Sequence, residues 1–335
     1  MNLKNWTRLL GIAVLAAALS PAVTQAQNLE KMKIQHYAGS MISLVTYIGL
    51  DQNIFKKHGL DVQLVATATG PDATAALLSG GVDLMLNSGD NMLRALDKGS
   101  PAMKVLVGNV REMPFSVVVS NDVTLPPGNY QEAMKGLAGK RLGVLARGSS
   151  SEMIFRALVS ASGLNPDKDV TWIAVGGLPT AIPAFQTKLI DAYLGFEPFQ
   201  TAMTSQKVGR VVLDMRKSQG PAGLVNFPYN FYIARADSLT SKPDTMRKLA
   251  AALTEAHAFM QSPANLNAVV KSASRFISIE EGLLRQMVIN DLPVYSPVVS
   301  EAGMNKWIAF SQSALGVKRE FTPAELVATG YIPKN

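Results

Sequence analysis

Ile54-Phe55-Lys56-Lys57-His58-Gly59-Leu60-Asp61-Val62-Gln63-Leu64-Val65-Ala66, continued by Gly70-Pro71-Asp72 to Leu78, Gly80-Gly81 and Val82-Asp83-Leu84-Met85-Leu86, decides the fold class. Asn53 to His58 reads as a short amphipathic helix that Gly59 stops, as a glycine beyond a helix end does. Leu60 to Ala66 alternates apolar and polar residues, the pattern of a strand. Gly70-Pro71-Asp72 opens a helix through Leu78, Gly80-Gly81 closes it, and Val82 to Leu86 is the next strand. Strand, helix and strand at this pace imply right-handed crossovers and a largely parallel sheet.

The pattern extends both ways. Upstream, Met32 to Tyr37 is a strand, and a helix follows Ala38-Gly39-Ser40 over Met41 to Leu50. Downstream, Asn87-Ser88-Gly89-Asp90 opens a helix to about Lys98, and Met103 to Val110 is a fourth strand. A second α/β series then begins. Its strands are Phe115–Ser120, Lys140–Leu145, Val170–Val175, Ile190–Leu194 and Val211–Leu213, with helices from Ser149 to Ala161 and from Pro179 to Thr187. Asn230 to Ala234 is a strand leading out again. From Pro243 the chain turns helical over 243–261, 263–275, 280–290 and 300–314, and Phe321 to Asn335 reads as loop.

Composition narrows the function. The chain has 335 residues, 47% of them hydrophobic and 17% charged, which suits two packed units. There is no cysteine, so disulfides, thiolate metal sites, a cysteine nucleophile and a lipid-anchored cysteine are all excluded. His36, His58 and His257 are far apart and lack zinc-helix spacing. No Gly-x-Ser-x-Gly elbow occurs. Gly136-Leu137-Ala138-Gly139-Lys140 has the wrong spacing for a phosphate loop and leads into a strand. No cofactor, metal or catalytic residue is therefore expected.

The first residues read as a secretory signal peptide. Lys4 and Arg8 precede an apolar run from Leu9 to Leu19, too short for the ~20 residues of a membrane span, and cleavage is expected after Ala26. The remaining chain would be exported, free in the periplasm and not a lipoprotein. The formal charge of +7 is dispersed, with no basic–aromatic face for nucleic acid.

Five segments carry a family resemblance. They are Ile54 to Val62, Ala75-Ala76-Leu77-Leu78-Ser79-Gly80-Gly81-Val82-Asp83, Leu137 to Val144, Gly148-Ser149 to Glu152, and Ala184 to Asp191-Ala192. In this order they resemble the periplasmic solute-binding proteins of ABC importers, of the nitrate, sulfonate, taurine and thiamine-precursor type. The resemblance implies a type II periplasmic-binding-protein fold: two Rossmann-like α/β lobes with a ligand cleft between them and a helical C-terminus. Lobe I would comprise 32–115 plus 232–335 and lobe II 116–231, with Phe115–Val119 and Asn230–Ala234 as the crossings. It implies a monomer that captures a small organic anion (a sulfonate, taurine, nitrate or a carboxylate) and hands it to an inner-membrane permease by lobe closure. A thiamine-precursor pyrimidine or aromatic solute is the alternative. An enzyme or a receptor-coupled sensor on the same fold stands further off; the fungal-type pyrimidine synthase of this fold carries a cysteine-rich motif that this chain lacks.

Ligands of open α/β sheets bind beyond the carboxyl ends of strands, and helix N-termini there offer N–H groups to an anion. The candidate contacts are accordingly Tyr37, Ser40, Met41, Gly70, Asn87, Ser88, Gly148, Ser149, Ser150, Ser151, Gly177 and Thr180. Arg147 is the candidate cation. Met113 is a candidate apolar wall, and Glu197, cleft-facing on the family pattern, is a candidate acceptor for an N–H donor or cation.

Overall fold

The computed structural model describes residues 28–331. The expected signal peptide and its cleavage site lie outside the described residues. In chain order the first unit has β1 (Glu30–His36), a 3-10 turn (Met41–Ser43), α1 (Leu44–Asp51), α2 (Ile54–Lys57), β2 (Leu60–Ala66), α3 (Gly70–Leu78), β3 (Leu84–Ser88), α4 (Gly89–Asp97) and β4 (Met103–Val110). The second has β5 (Ser116–Ser120), α5 (Tyr130–Lys135), β6 (Arg141–Val144), α6 (Ser150–Ala161), β7 (Thr171–Ala174), α7 (Leu178–Gln186), β8 (Ala192–Gly195), α8 (Phe199–Ser205) and β9 (Gly209–Asp214). The chain then returns through β10 (Asn230–Arg235) to α9 (Ala236–Ser241), α10 (Pro243–Gln261), α11 (Leu266–Ser274), α12 (Glu281–Asp291), α13 (Glu301–Leu315) and α14 (Pro323–Leu326).

Two five-stranded sheets result, ordered β2-β1-β3-β10-β4 and β7-β6-β8-β5-β9. In each, one strand runs against its neighbours: β10 lies antiparallel between β3 and β4, and β5 antiparallel between β8 and β9. Strands β3, β5 and β10 are buried almost throughout and read as continuous apolar runs, as central strands do. The expected crossing strands are therefore sheet members. The chain passes between the sheets over 111–115 and again over 215–229, because the apolar run 230–235 is consumed in pairing with β3 and β4.

The C-terminal helices settle mainly on the first sheet's helices: α10 on α1 and α2, α11 on α1, and α13 on α4. Helix α13 also touches α6 of the second unit. Its Trp307 is fully buried, donates Nε1–H to the Pro228 carbonyl, and lies where a side chain on Gly89 would be. The exposed edge of β4 is closed by the 294–298 segment: Gly108 N–H donates to the Pro297 carbonyl, Arg111 N–H to the Val294 carbonyl, and Val110 bridges Tyr295. Covering a sheet edge in this way removes a template for foreign strands. The C-terminal stretch expected as loop also holds α14 and a bridge from Val327 to Val105.

Candidate functional site

Three helices begin where the sheets' carboxyl ends face each other. Thr69 caps α3 through Asp72 N–H, and Ser149 caps α6 through Glu152 N–H. Ser88 stands at the N-cap of α4 but makes no cap bond. Its hydroxyl is turned across to the second unit, 2.8 Å from Ser150 Oγ. The Ser150 hydroxyl donates to Asp90 Oδ1 at 2.7 Å. Asn91 Nδ2 donates to Asn87 Oδ1 (3.1 Å), Ser88 Oγ (2.9 Å) and Ser150 Oγ (3.1 Å). Arg94 donates to Asp90 Oδ2 (3.2 Å), to Asn91 Oδ1 (2.8 Å) and, across to the second unit, to the Gly148 carbonyl (3.0 Å). The first turns of α4 and α6 are thereby joined by side chains that, Arg94 apart, are almost wholly buried. Since each turn carries the positive end of a helix dipole, the Asp90 carboxylate between them is favourably placed.

The wall of this junction is aromatic. Tyr37 donates to Asn87 Oδ1 at 3.4 Å, and Asn87 in turn donates to the Gly70 carbonyl at 2.9 Å. A side chain on Gly70 would collide with Asn87 and Asn91, so this position must be glycine for the two amides to pack. Burial, and then the neighbouring Tyr37 and Asp90, hold the Tyr229 hydroxyl well above the usual phenol range, while Ser150 and Ser88 at its side act the other way. Burial likewise raises the Tyr37 hydroxyl, with Asp90 and Asp72 adding to it. Both phenols are therefore neutral hydrogen-bonding groups at any physiological pH. Phe115 packs edge-on against Tyr229 and Phe196, tying the 111–115 passage to the loop after β8.

Of the residues expected from sequence, Tyr37, Gly70, Asn87, Ser88, Gly148 and Ser150 meet at this junction. Ser149 and Ser151 support it from α6, their hydroxyls 2.9 Å apart. Ser40 caps the 3-10 turn through Ile42 N–H, and the Met41 carbonyl accepts from Tyr295 Oη. Met113 is wholly buried in the main core. Four of the candidates are engaged otherwise. Arg147, the candidate cation, pairs with Glu152 at 3.1 Å while most of its side chain faces solvent. Glu152 is held there because it also accepts from Gly148 N–H at 2.6 Å, completing the capping box one residue further out. Thr180 is exposed and spends its hydroxyl on its own Gly177 carbonyl, so neither residue joins the cluster. Glu197 is buried but already satisfied by Thr201 Oγ1 (2.6 Å) and Arg216 (3.3 Å). Burial raises its carboxyl above the ordinary range, against the opposing pull of Thr201 and Arg216.

Asp90, Asn91, Arg94 and Tyr229 were not singled out from sequence. The i, i+4 spacing of Asp90 and Arg94 is a legible helix ion-pair signal. Among the described residues no group of three or more His, Asp or Glu side chains is placed to hold a metal ion, and no helix is long and apolar enough to cross a membrane.

The arrangement matches known proteins over nearly its full length. A protein of Brucella abortus, named only as a binding protein, is 26% identical over 300 residues, 88% of each chain. A solved structure from Bordetella bronchiseptica superposes with a TM-score of 0.76 at 22% identity, covering 91% of this chain and 96% of that one. The alkanesulfonate-binding protein SsuA of Xanthomonas axonopodis, bound to MOPS, gives 0.70 at 16% identity, covering 90% and 97%. The periplasmic nitrate-binding protein NrtA of Synechocystis gives 0.71 at 16%, covering 89% and 84%. The fold is thus that of the periplasmic binding proteins, as the motif order implied. The NMT1-like family model matches residues 39–274, and the chain belongs to that family.

Proposed function

We propose that this protein is the solute-binding component of an ABC importer, working in the periplasm without catalysing a reaction. The two sheets with their helices are its lobes, hinged at 111–115 and 215–229, and the closed form is what the permease recognises. The observation that carries this reading is the meeting of two helix N-termini from different sheets through Ser88, Ser150 and Asp90, flanked by Tyr37 and Tyr229. Backbone N–H groups, hydroxyls and amides converging from both lobes suit a small solute rich in acceptor oxygens, of the sulfonate, nitrate or carboxylate class. One observation favours the second reading, a pyrimidine or aromatic solute. Both arginines at the junction are already paired, Arg94 with Asp90 and Arg147 with Glu152, and the buried Asp90 carboxylate is itself an acceptor for N–H.

A panel of methanesulfonate, taurine, nitrate, benzoate and an aminopyrimidine tests both. A solute present at a hundred times its Kd stabilises the native state by about 2.7 kcal/mol, a thermal shift of several degrees. A shift with the oxyanions supports the first class and one with the aminopyrimidine the second. No shift and no calorimetric heat with any member would overturn the solute-binding assignment for these classes.

A further inference from the structure

At the start of the 215–229 passage, one guanidinium serves three carboxylates. Arg216 bonds Asp291 Oδ1 at 2.7 Å, Asp214 at 2.9 and 3.0 Å, and Glu197 at 3.3 Å. Glu197 follows β8, and Asp214 and Arg216 lie at the end of β9, all in the second unit. Asp291 ends α12, whose following segment pairs with β4 of the first. The three carboxylate side chains are each less than a tenth exposed and Arg216 only slightly more so. Three negative charges on one positive leave an excess that burial does not tolerate without a proton.

The remaining charged neighbours do not supply it. Lys217 reaches Asp214 only at 4.0 Å and is largely exposed. The Tyr295 hydroxyl is held neutral by burial and by Asp291 beside it, and donates to the Met41 carbonyl. His257 of α10 lies against the Tyr295 ring, and burial lowers it to about 3, so it is uncharged. Just past α11, Arg275 is paired with Asp51, and on α11 Lys271 faces solvent; on α12 itself, Arg285 bonds Asn267.

We propose that Arg216 and its three carboxylates form a proton-dependent strut between the lobes, in which the closed form holds one more proton than the open form. Opening carries Asp291 away from Glu197 and Asp214 and returns it to water, where it ionises. The proposal rests on the lobe movement invoked above and adds a pH dependence to it. Burial, followed by Glu197, pushes the Asp291 carboxyl up to about 7 in the closed form, against an ordinary 3.8. The closed form is therefore favoured fully below the open-form value. That advantage falls by up to about tenfold per pH unit as pH rises toward 7, and levels off above it.

The chain's lack of cysteine allows clean labelling. Spin labels on Lys98→Cys and Lys168→Cys, two exposed positions on different units, report the distance between lobes at pH 5.5, 6.5 and 8. The expected result is a short-distance population, relative to the long one, at least tenfold larger at pH 5.5 than at pH 8. Asp291→Asn should remove the dependence. Glu197→Gln, which deletes one of the facing charges, should move it to lower pH and serves equally if Asp291→Asn fails to fold. Equal populations at all three pH values, with the panel solutes still shortening the distance, would overturn the strut and leave the solute reading standing. A single unchanging distance at every pH and with every panel solute would overturn both.

Discussion

Replacing Arg216 with glutamine should cost this protein more stability than loss of one ordinary ion pair on its surface, and the cost should depend on pH. The guanidinium makes four contacts within 3.3 Å to the carboxylates of Asp214, Glu197 and Asp291, and the Arg216 backbone N–H donates to Asp214 as well. Removing one partner of a buried pair leaves an uncompensated charge and costs about 3–5 kcal/mol. Here three carboxylates lose their counter-ion together, so the lower figure is a floor at pH 8.5. In the variant the Glu197 and Asp291 carboxyls, which burial already raises, lose the cation that opposes that rise. Such groups stabilise the fold below their unfolded values, and that contribution is lost as pH rises through the folded ones. The deficit should therefore shrink toward acid, by at least about 1.4 kcal/mol between pH 8.5 and 5.5, equivalent to one pH unit of linkage for one proton. Urea unfolding of both proteins at the two pH values, followed by tryptophan fluorescence, measures it. A difference below about 3 kcal/mol at pH 8.5, or one independent of pH, would refute the reasoning, because the carboxylates would then have found other partners or water.

Ser150→Ala should weaken binding of any solute the wild type retains by about 10–100-fold in calorimetry, since it strips a charge-assisted hydrogen bond of about 1.5–3 kcal/mol from the buried Asp90 only where the lobes meet. Gly89→Ala should destabilise by about 1–3 kcal/mol in urea, because the new Cβ would stand 2.5 Å from Trp307 Cγ in a filled core; an unchanged midpoint would mean that α13 yields freely. Asp191→Asn should cost about 1 kcal/mol at pH 7, a modest figure because its partner Arg141 is partly exposed. Arg141 holds the Asp191 carboxyl below its ordinary value, so the wild-type advantage is present above pH 4 and should vanish as pH falls through the folded value in acid unfolding curves.

Local signals carried most of the fold. Gly59 and Gly80 adopt positive φ at the turns where the sequence places them, and helix α3 has the bounds that Gly70-Pro71 and Gly80 imply. Helices α5 and α8 escaped notice because six or seven residues span too few turns to show an apolar period. The insertion of β10 between β3 and β4 was also hidden, since an apolar run of six residues says that a strand is buried but not between which neighbours.

The candidate site divides in the same way. Asn87, Ser88 and Ser150 are visible as N-terminal positions of helices. That Ser150 faces Asp90, 60 positions away in sequence, follows only from the apposition of two sheets. That Glu152 holds both Gly148 N–H and the Arg147 guanidinium is a detail of one turn that no spacing rule announces. Arg216 drew no attention at all, as two of its three partners lie 19 and 75 residues off.

The place of β10 also fixes an order of assembly. All five strands of the second sheet lie within residues 116–214, so that sheet can pair as soon as its own stretch of chain is available. The first sheet has four strands in hand by residue 110, yet β3 and β4 share no ladder until Asn230–Arg235 slides between them. A chain emerging N-terminus first must therefore keep its earliest sheet open for more than a hundred further residues. The late strand is a built-in delay that leaves the leading half unlocked while the trailing half is still being made.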